Sequence, residues 1–415
     1  MPLDDRGDTR VIGTSAKQQT IHSGLRGARI CHLSAIQNRR DARALNREAA
    51  PCAEQGLQVS IVGPHGERGF ASGVQLISTP PSANRVLRIL TAYRAAISAA
   101  GLNADVYHAH SPEMIPAGLL LKIVYGKRVI YDTREDYPSM MLTKTYLRKP
   151  FRKLARHAIS LIERLAANIC DGFVTADSGT LRNYARSGSS AKLVFYNMPN
   201  LRFFPAPSRQ EKEFDLVYRG GLSKRAGTFD LLQAVRLLNE RGFPARLLMF
   251  GYTDDRGTKD TIVRLLKGYG IQHLVEMRGV IPHEEMATTL QSARIAVCPL
   301  QAIPKFLNNI PVKVFESWAC GLAVVASNLP PIRPFFPRGQ QQFLTRPGDA
   351  EDLARALEIL LRDPIRTSIV GNEGRKAVEE RYNSNGETKK LLSLYANILR
   401  KDAMPYTRFS PATQG

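Results

Sequence analysis

Cysteine is scarce in this 415-residue chain, with Cys31, Cys52, Cys170, Cys298 and Cys320 as the whole set. Their number is odd, their positions are scattered, and none is paired at metal-ligand spacing. That excludes a disulfide framework or a zinc ribbon and points to reduced, buried thiols of a cytosolic protein. Long apolar runs are also missing. The most apolar stretch, Met114 to Tyr125, is interrupted by Lys122 and is too short to span a bilayer. The first residues, to about position 27, have no apolar signal-peptide core and read as a polar tail. Acidic residues are few: 37 Asp and Glu face 58 Lys and Arg, a net charge of +21. Residues 1–200 hold 27 basic and 15 acidic side chains and the remainder 31 and 22, so the excess is not one basic tail. Such a balance implies polyanionic surroundings: nucleic acid, anionic lipid or phosphorylated ligands. No zinc finger, RNP-type aromatic pattern or basic zipper accompanies the charge, so nucleic acid is not an expected partner. An Asp-x-Asp metal motif and a solenoid repeat are absent as well.

What the chain does have is alternation. Strand patterns at about Arg29–Leu33, Gln58–Val62, Val74–Ile77, Asp105–His108, Arg128–Tyr131, Gly172–Thr175 and Lys192–Tyr196 are separated by helical stretches. Asn197 to Lys212 holds three prolines and no periodicity, and reads as a linker. Alternation then restarts, with strands at Asp215–Tyr218, Ala245–Phe250, Val275–Arg278 and Ile295–Cys298, before a helical end from Glu351 to Arg400. The predicted fold class is α/β: two doubly wound, Rossmann-like domains facing a cleft, with ligands at the sheets' carboxyl edges. The expected divisions are a tail (1–27), a first domain (28–200), a second domain (201–385), and a last helix and tail (386–415).

Four segments carry chemistry. In Pro311 to Ser327, Val312, Phe315 and Ala319 fall at helical spacing, Gly321 stops the helix, and Leu322 to Ala326 form a buried strand. Glu316 stands apart there: a carboxylate that accepts two hydroxyls, as from a ribose diol, or else a solvated Glu favoured near a helix N-terminus. Arg219 to Gly227 follows a strand and opens a helix; Gly220 and Gly221 let backbone N–H groups approach a diphosphate, with Lys224 or Arg225 as the cation. His108, His110 and Glu113 cluster after another strand, but no third His or Cys lies nearby at ligand spacing, so no metal is expected. Finally, Lys144 to Arg164 carries seven Lys and Arg against Glu163 alone, with Tyr146, Leu147, Phe151 and Leu154 interleaved. That is the pattern of a helix lying on an anionic membrane surface, or of a solvated charged face.

The first of these segments resembles the donor-site signature of the group 1 (family 4) retaining glycosyltransferases, Pro-x-Lys-x-x-Glu-Tyr-Met-Ala-x-Gly-x-Pro-Val. Pro311, Lys313, Glu316, Ala319, Gly321 and Val324 match; Ser317, Trp318 and Ala323 do not. Val129 to Pro138 is similar to the Tyr-Asp-x-His-Glu-Asp-Tyr-Pro segment of one branch, with Arg134 where that branch has its active-site His. The resemblance spans roughly Arg29 to Arg400 and implies the GT-B fold. It further implies metal-independent, retaining sugar transfer from a nucleotide sugar to a saccharide or lipid-linked saccharide, as in bacterial-type surface polysaccharide synthesis. No cofactor is expected, and the location is cytoplasmic, peripheral on the inner face of the plasma membrane. Carried over residue by residue, Glu316 binds the ribose, Gly220, Gly221, Lys313 and Asn308 the donor, and Val280 and Ile281 the base. Asn308 replaces a second Glu of many members. Lys224 and Arg225 meet the diphosphate, because Ala226 stands where the family has its cation. Arg134 joins them as a catalytic candidate, and Asp41, His110 and Glu135 fall on the acceptor side. These departures keep three other readings open: a catalytically weak GT-B scaffold, a nucleotide-sugar epimerase on the same fold, and, on charge alone, a nucleic-acid-binding protein.

Overall fold

The computed structural model describes residues 25–35, 42–64, 69–80, 88–142, 147–188, 191–207, 212–253 and 256–400. Most of the expected N-terminal tail, Asp41, Lys144, Tyr146 and positions 401–415 lie outside them.

The first domain is built on eight strands: β1 (Arg29–Ser34), β2 (Gln58–Gly63), β3 (Gly69–Ala71), β4 (Val74–Ser78), β5 (Val106–His110), β6 (Val129–Thr133), β7 (Gly172–Thr175) and β8 (Ala191–Val194). Their order is β3-β4-β2-β1-β5-β6-β7-β8, and every pair is parallel except β3 with β4. Strands β5, β6 and β7 are buried along their full length, as expected where helices cover both faces of a parallel sheet. The second domain holds β9 (Phe214–Arg219), β10 (Leu247–Phe250), β11 (Val275–Arg278), β12 (Ala293–Cys298), β13 (Ala323–Ser327) and β14 (Leu344–Thr345), in the order β11-β10-β9-β12-β13-β14. All of its pairings are parallel. In each sheet the order reverses once, between β1 and β5 and between β9 and β12. The crevice at the carboxyl ends of such strands is where open α/β sheets bind ligands.

The last helix, Ser384–Arg400, leaves the second domain and sends Leu391, Leu392, Tyr395 and Ile398 into the core of the first. Glu387 at its start accepts a hydrogen bond from the Tyr196 backbone N–H at 2.9 Å.

Several elements differ from the sequence expectation. Three-residue β3 and two-residue β14 are too short to show alternation. β5 runs on to His110, and Glu113 sits in a 3-10 turn, Pro112–Met114. The basic helix spans Lys149–Ile169, with Pro150 in its first turn, where no intrahelical N–H is required. Its one acid, Glu163, points inward and accepts from Tyr131 Oη at 2.7 Å and Thr133 Oγ1 at 2.8 Å, and also from Tyr184 Oη. Burial raises its carboxyl pKa above the ordinary value. The outward face of this helix therefore carries no acidic side chain of its own. All five cysteines are buried and free, and burial pushes the Cys31, Cys170 and Cys320 thiols up to about 12.

Candidate active site in the interdomain cleft

β9 ends at Arg219 and the chain turns through Gly220, whose φ of 129° favours glycine. A Cβ at Gly220 would lie 3.3 Å from Lys313 Nζ, so the bare backbone lets that ammonium approach the turn. Lys313 Nζ also sits 5.0 Å over the Tyr218 ring. After the 3-10 turn Lys224–Ala226, Gly227 (φ 76°) starts the helix Thr228–Glu240, and a Cβ there would collide with the Pro299 carbonyl at the end of β12. These close approaches bring the β9 turn against the end of β12, at the switch point.

In front of the turn lies a cavity of about 310 Å³, lined by Gly220, Gly221, Arg225, Lys305, Lys313 and Glu135 among others. A second cavity, about 140 Å³, includes Arg134, Glu135, Asp177, Asn197 and Val312, and shares Glu135, Asn309 and Ile310 with the first. Together they form one groove between the domains. Glu135 crosses it to Lys305, both carboxylate oxygens 3.2 Å from Nζ. Asp136 caps its helix through Ser139 N–H at 3.0 Å and accepts from Asn308 Nδ2 at 3.1 Å.

Glu316 lies within the helix Val312–Ala319 and is 2% exposed. Its Oε1 accepts from Arg47 Nη2 of the first domain at 3.1 Å, and its Oε2 pairs with Arg219. The carboxylate expected to meet a ribose is thus held by two guanidiniums, one from each domain.

The structure gathers part of the expected donor set and disperses the rest. Gly220, Gly221, Arg225 and Lys313 converge on the larger cavity. Lys224 is exposed and is not among its lining residues. Ala226 is buried in the core, so a cation at that position has no place, and the neighbouring Arg225 lines the cavity. Val280 is 75% exposed and Ile281 packs partly on the core, both outside the cavity lining. Asn308 reaches across the cleft to Asp136 and is not among the residues lining the larger cavity. On the acceptor side Glu135 and Arg134 face the groove, but His110 lies beneath it, fully buried, because β5 is a central strand.

Beneath the groove, His110 joins a polar cluster with Arg43, Glu48 and His32, which no sequence motif singled out, and with Asp132. Arg43 grips Asp132 with Nε to Oδ2 at 3.1 Å and Nη2 to Oδ1 at 2.9 Å, and pairs with Glu48 Oε1 at 2.8 Å. His110 Nδ1 contacts Asp132 Oδ2 at 3.0 Å, and His32 Nδ1 lies 2.9 Å from His110 Nε2. Burial alone would raise the Asp132 pKa, but Arg43 and His110 hold it well below the usual carboxylate range. Burial and the nearby Arg134 charge lower His110 to about 3, so its imidazole is neutral. The local signals were Asp132 within the Val129–Pro138 segment and His110 two residues after His108.

Comparison with known proteins agrees with this geometry. The sequence model described as "Glycosyl transferases group 1" matches residues 201–377, and that described as "Glycosyltransferase Family 4" matches residues 43–197. The chain is 20% identical over 326 residues to the capsular polysaccharide biosynthesis glycosyltransferase CapM of Staphylococcus aureus, covering 71% of this chain and 80% of CapM. To the MMP alpha-(1->4)-mannosyltransferase of Mycolicibacterium hassiacum it is 23% identical over 321 residues, 75% of each chain. Among solved structures, sucrose-phosphate synthase from Thermosynechococcus elongatus superposes with a TM-score of 0.72 at 17% identity, over 90% of this chain and 100% of that one. Anabaena HepE in complex with UDP gives 0.66 at 13% identity, over 89% and 100%. Two family models in tandem, on two parallel-sheet domains that share the fold of these enzymes, establish that the chain belongs to the group 1 (family 4) glycosyltransferases of GT-B fold.

Proposed function

We propose that this glycosyltransferase moves a sugar, with retention, from a nucleotide sugar to a saccharide or lipid-linked saccharide acceptor in surface polysaccharide synthesis. The observation that carries the reading is the convergence of the Gly220–Gly221 turn, Arg225 and Lys313 on one cavity at the β9–β12 switch point. Backbone N–H groups and two cations suit a diphosphate. Relatives named for capsular, colanic acid and amylovoran biosynthesis, and HepE solved with UDP-glucose, support the donor and pathway class. In the mechanism, Arg225, Lys313 and the turn stabilise the leaving diphosphate, with no metal ion required there. The acceptor hydroxyl oxygen bonds to the sugar's anomeric carbon on the face from which the diphosphate oxygen departs with its bonding pair, and that departing phosphate takes the hydroxyl's proton. No protein nucleophile takes part, and Glu316 binds rather than attacks. Arg134, at the groove beside Glu135, contacts an anionic group of donor or acceptor, a role for which Lys is a poor substitute.

A panel of nucleoside diphosphates and nucleotide sugars tests this by thermal stabilisation. A bound nucleotide at a hundredfold excess over Kd is expected to add about 2.7 kcal/mol, and Arg225→Ala with Lys313→Ala to remove most of it. If no base or sugar shifts the transition, the reading fails. Product formed without acceptor indicates an epimerase, and binding with no turnover on any acceptor indicates a scaffold. In the same assay Arg134→Lys should lower turnover with the preferred donor; equal rates would make Arg134 a bystander.

The acceptor side is proposed to rest on anionic membrane, which gives a peripheral, cytoplasmic location. Phe151, Leu154, Leu161 and Leu165 are exposed on the basic helix, and Ile123, Val124 and Tyr125 are exposed at the end of the helix packed beside it. Among the described residues no helix is long and apolar enough to cross a membrane. Sedimentation with anionic vesicles, weakening as salt rises, is expected for the wild type. Replacing Arg148, Lys149, Arg152 and Lys153 by Gln should abolish it at moderate salt. Equal binding to neutral vesicles would rule the electrostatic docking out.

A further inference from the structure

Three imidazoles stack in the interior of the first domain. His32 on β1 and His108 on β5 are register partners, and His110 follows two residues on, on the same face. Ring centroids are 4.9 Å apart for His32 and His108 and 4.7 Å for His108 and His110. The helix Ala42–Ala49 lays Glu48 against them, with Oε2 3.6 Å from both His32 Nδ1 and His110 Nε2. All four residues are at most 1% exposed. Their ligand atoms lie within 4.8 Å of one another.

The surroundings fix which nitrogens face inward. His110 Nδ1 is held by Asp132 and His108 Nδ1 by Tyr395 Oη at 2.9 Å. That leaves His108 Nε2 turned away from its anchor, buried and without a hydrogen-bond partner, while His32 turns Nδ1 toward Glu48 and His110. Buried ring nitrogens without partners are rare and require an explanation. The Asp132 carboxylate on His110 and the Tyr395 hydroxyl on His108 are the usual supports, on the far nitrogen, of a metal-ligating histidine. Ligands on one tetrahedral zinc-type ion are about 3.3–3.5 Å apart, between the 2.9 Å from His32 Nδ1 to His110 Nε2 and the 3.6 Å from each to Glu48. Glu48 turns Oε1 to Arg43 and Oε2 to the histidines.

We infer that His32, Glu48, His108 and His110 bind one divalent transition-metal ion of the zinc type, beneath the cleft and apart from the diphosphate cavity. No bond is made or broken there. The ion ties β1, β5 and the helix that carries Arg47, and through Tyr395 the last helix, into one unit. Sequence spacing hid the site because His32 and Glu48 are distant in the chain from the His108–His110 pair. This inference is independent of the donor reading.

The full chain, purified without chelator from cells grown in zinc-supplemented medium, is expected to carry one zinc per chain by elemental analysis. Growth in cobalt-supplemented minimal medium should give the intense visible bands of four-coordinate Co(II). His32→Gln and His108→Gln should lose both signals. Tyr395→Phe, which keeps all four ligands, should retain the fold but release metal to a chelator at about 10- to 100-fold lower chelator concentration. That variant keeps the test decisive if the histidine variants fail to fold. Wild type that carries no zinc or cobalt from either medium, six-coordinate cobalt spectra, or equal metal content in folded His32→Gln would overturn the inference.

Discussion

Glu316→Ala is expected to remove the stabilisation that a nucleoside diphosphate confers, while Arg47→Ala leaves it intact or enlarges it. The carboxylate is held by Arg47 from the first domain and Arg219 from the second. Under the proposed function, a ribose diol entering the site would compete with Arg47 for Oε1. Hydrogen bonds to a charged acceptor are worth about 1.5–3 kcal/mol, so losing Glu316 should weaken nucleotide binding roughly ten- to hundredfold. Removing Arg47 deletes the competitor and one of the cross-cleft contacts, which favours an open cleft. Isothermal titration of the two variants with the best nucleotide decides the matter. If Arg47→Ala loses binding as fully as Glu316→Ala does, Arg47 belongs to the donor site. If Glu316→Ala binds as the wild type does, Glu316 is structural. Glu316→Ala should also lower the stability of the nucleotide-free protein, because two partly buried guanidiniums then face each other without their carboxylate.

Arg43→Leu is expected to destabilise the first domain by about 3–5 kcal/mol, the usual consequence of leaving buried charges without their partner. Asp132 and Glu48 are 0% and 1% exposed, and Arg43 pairs with both. Arg43 also donates from Nη1 to the Phe195 carbonyl at 3.1 Å and to Asn197 Oδ1 at 2.8 Å. The molecule supplies its own control. Trp318 is the single tryptophan and is fully buried in the second domain's core. Its fluorescence reports that domain, whereas far-UV circular dichroism reports both. In urea, Arg43→Leu should move the dichroism transition to lower concentration and leave the tryptophan midpoint close to the wild type's. Unchanged dichroism would show that the cluster contributes no net stability.

The fold was legible because parallel strands buried on both faces are local apolar runs, and the helix stop at Gly321, whose φ is 73°, is written in a single residue. The turn after β9 was legible in the same way: Gly220, Gly221, Arg225 and Ala226 are neighbours in sequence. Pairings made across the chain were not. Arg47 meets Glu316 from 269 residues away, and His32 meets His110 from 78. No local periodicity records either contact. Glu316 read as a carboxylate open to a ribose because its burial depends on side chains delivered by two other elements. His110 read as a cleft residue because the strand that buries it continues two residues beyond its apparent end. Among the departures from the family pattern, Ala226 has its reason in the core it fills, and Asn308 in its bond to Asp136.

The return of the last helix to the first domain has a topological consequence. The first domain begins and ends the described chain, so the second is an insertion, entered through the segment before β9 and left before Ser384. Such an insert is exchangeable as a cassette: both of its ends cross at one seam, where the Ser384 N–H donates to the Pro199 carbonyl at 3.0 Å. Under the proposed function, exchanging that one contiguous block would change donor preference, while the first domain keeps its core, its basic helix and its buried histidines. Cutting the chain after the second domain would instead remove the first domain's own closing helix, so the two halves are separable by grafting but not by truncation.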